Sequence, residues 1–241
     1  MIKEIRDYYN RQDCMKKYSE DVDGVKLWAS EKHIIAKYIK KTDKILDIGC
    51  GAGRTTINLC KDGYTNITGL DIAGNLLAFA KDYCKQNNLD IDFVEQSATN
   101  IKFENETFDA VIFSYNGFMC IPGEENRKTA LKEICRVLKP SGVFVFTAHD
   151  RGNPKFSKFW AEEKIRFETG QANPRVEKYG DRFMPDEFGV ESYIHVPSKV
   201  EMQKLCEENG FKVLESVNSL EIGTPDEQSH ETIFWVVQKL V

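Results

Sequence analysis

The feature that most constrains this chain is a set of three glycines at alternate positions in the segment Leu46-Asp47-Ile48-Gly49-Cys50-Gly51-Ala52-Gly53-Arg54. An apolar run that predicts a strand comes directly before them, and a stretch of helical periodicity follows. Glycine lacks a Cβ and adopts positive φ, so the backbone can turn tightly here and lie close to a ligand. After the first strand of a doubly wound sheet, such a turn faces the crevice where ligands bind. The segment therefore predicts an α/β fold with a ligand at this turn.

Short apolar runs alternate with amphipathic helical stretches along the middle of the chain. The runs cover 45–48, 67–70, 91–94, 110–113 and 143–147. This alternation is typical of βαβ units around a parallel sheet. Two further strands, 211–217 and 232–237, are close enough in sequence to pair antiparallel. The pattern predicts a doubly wound, Rossmann-like α/β domain whose seven-stranded, mostly parallel sheet ends in a C-terminal antiparallel hairpin.

The length of 241 residues suits one such domain with additions, so we expect a single domain over 1–241. Residues 1–40 predict an N-terminal helical cap, with Ser30 as a candidate helix cap, and residues 44–150 predict the ligand-binding half. Residues 151–197 are polar and aromatic, with interrupting glycines and prolines, and predict an insertion or lid after the fifth strand. Residues 198–241 predict a helix that Ser198 caps, followed by the hairpin.

Composition narrows the range of partners. The formal net charge of -5 does not favour binding to a nucleic-acid backbone. No window approaches the ~18–20 apolar residues of a membrane span, and the charged first residues do not resemble a signal peptide. The seven cysteines are scattered and include no Cys-x-x-Cys pair. We therefore expect a cytoplasmic protein with reduced thiols, without a metal, nucleic-acid or membrane partner; its oligomeric state is not specified.

The spacing of the glycines differs from that of a dinucleotide site. The fingerprint G-x-G-x-x-G would place its third glycine where this chain has Arg54. In addition, the Asp47 carboxylate would repel a pyrophosphate, whereas it suits a cationic amino or sulfonium group. Both features argue against NAD, although an NAD-dependent oxidoreductase is kept as an alternative.

Residues 47–53 resemble the first motif of the class I S-adenosylmethionine-dependent methyltransferases, acidic-x-G-x-G-x-G, and further motifs follow in that family's order. Gly69-Leu70-Asp71-Ile72 resembles the end of the family's second strand. Phe108-Asp109-Ala110-Val111-Ile112 resembles its fourth strand, and Leu138-Lys139-Pro140-Ser141-Gly142 the turn before its fifth. The last two motifs are most similar to the ubiquinone/menaquinone-biosynthesis-like branch, which acts mainly on small molecules.

The resemblance implies S-adenosyl-L-methionine as the cofactor and indicates which residues would hold it. Asp71 would accept hydrogen bonds from both ribose hydroxyls, since each carboxylate oxygen can take one O–H. Ser97 stands where many members carry an acidic residue, and a serine accepts more weakly from the adenine amine. The full expected set is Asp47, Gly49, Cys50, Gly51, Gly53, Asp71, Ile72, Ser97, Ala98 and Ser114.

Methyl transfer from a sulfonium is an in-line displacement, so the protein has to position and desolvate the reactants. Tyr115 is expected to offer its ring to the sulfonium methyl, whereas its neighbour Phe118 suits either that role or core packing. His149 is a candidate general base or a hydrogen-bonded structural residue. Two roles are likewise open for the aromatic residues of the cap, as a cover over the ligand or as packing alone; these residues are Tyr8, Tyr9, Tyr18 and Trp28. We predict a methyltransferase with a small-molecule acceptor; a non-catalytic cofactor-binding module is the alternative.

Overall fold

The computed structural model describes residues 1–186 and 188–241, and only the backbone of residues 228–230. Within these residues the strands are β1 (Ile45–Ile48), β2 (Ile67–Asp71), β3 (Asp92–Glu95), β4 (Phe108–Phe113), β5 (Leu138–Ala148), β6 (Asp181–Pro185), β7 (Glu191–His195), β8 (Phe211–Asn218) and β9 (Ile233–Lys239). The helices are α1 (Ile2–Tyr9), α2 (Gln12–Gly24), α3 (Ala29–Tyr38), α4 (Arg54–Lys61), α5 (Gly74–Gln86), α6 (Glu124–Val137), α7 (Ser157–Glu168), α8 (Lys199–Glu207) and α9 (Ser219–Ile222). No helix in the described part of the chain is long and apolar enough to cross a membrane.

Seven strands form one sheet in the order β3-β2-β1-β4-β5-β9-β8. Strands β1 to β5 run parallel, and β9 is antiparallel to both of its neighbours. The chain reverses its direction across the sheet between β1 and β4, which in doubly wound folds marks the ligand crevice at the carboxyl ends of the strands. The predicted sheet, its C-terminal antiparallel hairpin and the N-terminal helical cap are confirmed.

Helices cover both faces of the sheet, which explains why β1 is an almost continuous apolar run. All four residues of β1 are buried. Leu46 and Ile48 belong to the core cluster that contains Phe146 of β5, whereas Ile45 packs in a second cluster with Ile34 of α3. Strands buried on both faces lose the polar alternation of a half-exposed sheet. Asp47, the one polar residue of β1, therefore has a role other than packing.

Helix α3 begins at Ala29, two residues earlier than a Ser30 cap predicts. Ser30 lies inside the helix, so its assignment as the cap is wrong. The side chain of Glu31 instead accepts from the Trp28 amide at 3.0 Å, and Glu227 accepts from the Ala29 amide at 2.5 Å. These two carboxylates satisfy amides that a helix start leaves without intrahelical partners. Ser198 does cap α8, accepting from the Glu201 amide at 3.2 Å.

The insertion after β5 contains more regular structure than its glycines and prolines indicated. It holds α7 and an antiparallel hairpin, β6 with β7. A buried polar cluster fastens this hairpin: Arg127 donates to the Tyr193 hydroxyl at 2.9 Å, and that hydroxyl donates to Asp181 Oδ1 at 2.7 Å. His195 lies between Asp181 at 2.8 Å and Glu201 at 3.1 Å. Burial acts to raise the pKa of Asp181, but hydrogen bonds from His195 and Tyr193 bring it below its ordinary value.

Removing the Asp181 charge should destabilise the fold. In Asp181→Asn, His195 and Tyr193 lose a charged acceptor in a site without water access, so we expect the free energy of unfolding at pH 7 to fall by roughly 2–3 kcal/mol. Urea denaturation measures this change. The matched control is Glu191→Gln on the exposed side of the same hairpin, where the ion pair with Arg175 is solvated and a change under about 0.5 kcal/mol is expected. Equal losses in the two variants would contradict a buried role for Asp181.

Candidate active site

A cavity opens at the carboxyl ends of β1, β2 and β4. It encloses about 1040 Å³, part of which is continuous with solvent, and we refer to it as the first cavity. Helices α1 and α2 form the wall opposite the sheet through Ile2, Ile5, Tyr9 and Tyr18. The predicted site residues that line it are Gly49, Cys50, Gly51, Asp71, Ile72, Ser97, Ala98, Ser114 and Tyr115. The position agrees with the crevice expected for this sheet topology.

The loop after β1 requires glycine for two different reasons. Gly49 has φ +63°, and a Cβ there would lie 2.3 Å from Cε2 of Phe113, so a side chain has no room. Gly51 has φ +56°, and its Cβ would meet only Leu76 Cδ1, at 3.7 Å. The open side of Gly51 is therefore available to a ligand, whereas Gly49 is constrained by the core.

Two predicted residues of this segment lie behind the cavity wall. Gly53 is the N-cap of α4, and a Cβ there would be 2.8 Å from Ile57 Cδ1, so its role is close packing of the helix. Asp47 is fully buried, and its Oδ2 accepts from the Thr56 hydroxyl at 2.6 Å. Its Oδ1 has no hydrogen-bond partner within the described residues. Burial raises the pKa of Asp47 to about 7, so near neutral pH this carboxyl is only partly charged.

Asp71 connects the glycine loop to the second βα unit. Its Oδ2 accepts from the Gly51 amide and its Oδ1 from the Ala73 amide, both at 2.7 Å. Burial raises the pKa of Asp71 above its ordinary value, although these amides favour the charged form. Each carboxylate oxygen has a second lone pair, so both can still accept from a ligand in the cavity. An acceptor pair of this kind suits a vicinal diol such as that of a ribose.

The residues around Asp71 fit the rest of a nucleoside. Ile72, Leu76 and Ala98 give the cavity an apolar wall on this side. The Ser97 hydroxyl pairs with the Thr99 hydroxyl at 2.8 Å, which leaves it able to accept or donate at the edge of a base. With bare backbone at Gly51, this end of the cavity can accommodate S-adenosylmethionine.

Tyr115 and Asn116 form a strained turn directly after β4. Their φ angles are +56° and +59°, a left-handed conformation that costs about 1–3 kcal/mol for each residue other than glycine. Asn116 is fixed by Thr147, whose hydroxyl accepts from the Asn116 amide at 2.7 Å. The Tyr115 ring lies under the Arg54 guanidinium at 4.8 Å and meets Tyr18 edge-on at 6.4 Å. Such strain is characteristic of functional sites, where it aims a side chain.

His149 and Phe118 lie outside the first cavity. Phe118 is completely buried in the core, so the packing alternative holds for it. His149 faces a second cavity of about 670 Å³, on the other side of Tyr115. Its Nε2 is 3.2 Å from the side-chain nitrogen of Asn116, and burial lowers its pKa below the ordinary value. Burial thus favours the neutral imidazole, the form that a general base needs, and the catalytic role of His149 stays a prediction.

Several residues that line the cavity were not anticipated, among them Ile2, Ile5 and Arg54. Ile2 and Ile5 recur at helical spacing on α1, a pattern too short to indicate what the helix faces. Arg54 was noted only as a departure from the dinucleotide fingerprint, but its side chain is buried and lines the cavity. Of the four aromatic residues of the cap, Tyr9 and Tyr18 line the first cavity, whereas Tyr8 donates to Asp186 at 2.8 Å and Trp28 lines the second cavity.

The fold is that of a Rossmann-like domain, and its cavity suits a nucleoside. Similarity to known proteins identifies the family to which this domain belongs. Residues 45–142 match the family model described as a methyltransferase domain. The chain is 31% identical over 193 residues to a demethylmenaquinone methyltransferase of Staphylococcus haemolyticus, covering 77% of this chain and 75% of that protein. It is 35% identical over 143 residues to an uncharacterised protein of Methanocaldococcus jannaschii, and that match spans 51% of the relative's length.

A solved structure of an S-adenosylmethionine-dependent methyltransferase from Methanosarcina mazei has the same fold, with a TM-score of 0.71, 22% identity and coverage of 86% of this chain and 97% of that one. This chain belongs to the class I S-adenosylmethionine-dependent methyltransferases. Its cofactor is accordingly S-adenosyl-L-methionine, and the NAD-dependent alternative is set aside.

Loss of the Asp71 carboxylate should weaken cofactor binding. In Asp71→Ala the ribose hydroxyls of the bound ligand lose a charged acceptor, so we expect S-adenosylhomocysteine to bind more weakly by roughly 1–3 kcal/mol. Isothermal titration calorimetry measures the change, with Asp92→Ala on the exposed start of β3 as the control. Unchanged affinity in Asp71→Ala would remove its assignment to the ribose.

Asp47 should stabilise the fold more at low pH than at high pH. A carboxylate in an ion pair, whose pKa is lowered, has the opposite effect. Because its pKa is raised to about 7 in the folded state, its contribution is present at low pH and is lost as the pH rises toward 7. We expect the free energy of unfolding of the parent, relative to Asp47→Asn, to fall by roughly 2–3 kcal/mol between pH 5 and pH 8. Urea denaturation across this range measures it. Asp90→Asn, at an exposed site, should parallel the parent, and a constant difference for Asp47→Asn would contradict the raised pKa.

Proposed function

We propose that this methyltransferase acts on a small, uncharged and largely apolar acceptor, bound in the first cavity between the glycine loop and helices α1 and α2. The observation that carries this proposal is the absence of charge on the far wall. Among the described lining residues only Arg54 and Asp71 are charged, and both lie on the sheet side. The far wall consists of Ile2, Ile5, Tyr9, Tyr18, Cys120, Ile121 and Pro122.

A charged acceptor would lose its hydration against this wall without gaining a partner. An aromatic acceptor, in contrast, could pack against a row of three neighbouring tyrosine rings. Tyr9 and Tyr18 have ring centroids 5.8 Å apart, and Tyr18 and Tyr115 have centroids 6.4 Å apart. The Tyr9 hydroxyl is engaged with Cys120 Sγ at 3.4 Å, so it does not offer a free polar group. The name of the Staphylococcus relative indicates a quinone-type substrate for that protein, which supports an apolar acceptor here.

The bound cofactor supplies an electrophilic methyl group, and the residues of this chain supply position and exclusion of water. We propose that Gly49 and Gly51 hold the methionine portion and that Asp71 holds the ribose. Tyr18 and Tyr115 would shield the methyl group from solvent, and the Tyr115 ring would attract its positive charge, a contact worth roughly 1–2 kcal/mol when desolvated. If the acceptor must lose a proton, His149 stays the candidate base; it faces the second cavity and its Nε2 is 3.2 Å from the Asn116 side-chain nitrogen, so the proton would have to reach it from the first cavity through a bridging water.

A cytoplasmic location without a nucleic-acid partner completes the proposal. The net charge of -5 and seven free cysteines support it.

The proposal is tested with methyl-labelled cofactor and pairs of acceptors of equal ring size. Each pair contains an uncharged phenol or hydroquinone and its carboxylated or aminated counterpart. We expect label to appear on the uncharged member. Methylation of the charged member alone would overturn the proposed acceptor class.

A charge placed on the far wall should interfere with the acceptor and not with the cofactor. In Ile5→Asp we expect the KM for an uncharged acceptor to rise at least about tenfold, since a carboxylate in this apolar wall resists desolvation. The affinity for S-adenosylhomocysteine should stay within about twofold of the parent value. Lys3→Asp, on the solvent face of α1, is the matched control and should leave both quantities unchanged. An unaltered KM in Ile5→Asp would show that the acceptor does not contact α1.

A further inference from the structure

We propose that Arg54 recognises the carboxylate of the cofactor's methionine portion, and that Glu31 fixes the guanidinium in the orientation this requires. Arg54 is the first residue of α4, directly after the glycine loop, and its side chain is 6% exposed. It is the one cationic side chain among the described residues that line the first cavity. Arg54 would act in the same site as the proposed methyl transfer, and its role rests on cofactor binding there.

Glu31 and the backbone hold one edge of the guanidinium. Nη1 donates to Glu31 Oε2 at 2.7 Å and to the Lys26 carbonyl at 2.5 Å, and Nη2 donates to Glu31 Oε1 at 2.6 Å. Glu31 is 3% exposed, so this is a buried two-point ion pair. The Tyr115 ring, 4.8 Å away, supports the flat face of the guanidinium. Edge and face are therefore both fixed before any ligand binds.

The remaining donors of Arg54 form a fork that suits a second carboxylate. A guanidinium has five N–H groups, and the contacts above use both on Nη1 and one on Nη2. Neither Nε–H nor the second N–H of Nη2 has a hydrogen-bond partner among the side chains and backbone groups that the structure describes. These two groups lie on one edge and point the same way, the arrangement that binds a carboxylate at two points. Because Arg54 lines the first cavity, this free edge is available to a ligand that can pair with both donors.

The placement of charge along the cavity agrees with this role. Asp71 marks the ribose end, whereas Arg54 adjoins Gly51 and Tyr115, where the methionine portion would lie. The amino-terminal end of α4 adds partial positive charge beside Arg54. Glu31 offsets the arginine charge, so the sulfonium is not strongly repelled. A ligand carboxylate would thus find a preorganised cation at the end of the cavity where the cofactor carries one.

The experiment compares two ligands that differ only in the carboxylate. S-adenosylhomocysteine and its decarboxylated analogue, 5′-deoxy-5′-(3-aminopropylthio)adenosine, are titrated calorimetrically into the full chain. We expect the analogue to bind about 10- to 100-fold more weakly to the parent. In the double variant Arg54→Gln/Glu31→Gln, which leaves no unpaired buried charge, the two affinities should agree within about threefold. The matched control, Arg136→Gln/Glu133→Gln, removes an ion pair on α6 and should keep the parent ratio.

A second measurement, made on the parent protein, tests the proposal even if the double variant does not fold. In protein with ¹⁵N-labelled arginine, the Nε–H resonance of Arg54, assigned through Arg54→Lys, should shift on addition of S-adenosylhomocysteine and stay in place with the analogue. Equal binding of the two ligands by the parent, full discrimination in the folded double variant, or an unmoved Nε–H resonance would each overturn the role of Arg54. Those results leave the proposed methyl transfer intact, whereas a complete lack of S-adenosylhomocysteine binding would overturn the cofactor site itself.

Discussion

The hydrogen bond from the Gly51 amide to the Asp71 carboxylate holds the ligand cavity in shape. It connects the loop after β1 to the end of β2, and a second bond, from the Cys50 amide to the Leu70 carbonyl at 3.1 Å, reinforces this connection. Backbone without side chains would otherwise be the most mobile part of such a site. With the loop fixed, one carboxylate can serve both the protein and the ligand. The glycine loop and the end of β2 are therefore held together on one side of the cavity.

Buried charge is concentrated around this loop to a degree that packing alone does not explain. Asp47, Asp71, Glu31 and Arg54 are all less than a tenth exposed, and burial raises the pKa of both aspartates. Groups with shifted pKa values cluster at functional sites because ligand binding needs charge in a place where water is excluded. The far wall of the cavity, in contrast, is apolar. The sheet side can therefore select a ligand by its charges and hydrogen bonds, and the far wall by the fit of its apolar surface.

The sheet and the cofactor class could be predicted from the sequence because the motifs that indicate them each lie within a short segment of the chain. Strand β1 and its glycine loop lie within ten residues, and Asp71 follows the next strand in the expected place. Other features depend on contacts between distant residues. Glu227 caps α3 from almost 200 positions away, and the β6–β7 hairpin is stabilised by Arg127 and Glu201 outside it. The start of β5 at Leu138, five residues before its predicted start, follows from pairing with Phe108 across a register shift.

Strand β9 is the last element of the chain, yet it lies inside the sheet, between β5 and β8. Until β9 is inserted, β5 and β8 have no bond to each other, and both present open edges. The loop before β9 also brings Glu227 to α3, which carries Glu31 to the cofactor pocket. The insertion of β9 into the sheet and the placement of α3 beside the cofactor pocket therefore depend on one stretch of chain, so that the closed sheet and the complete pocket form together.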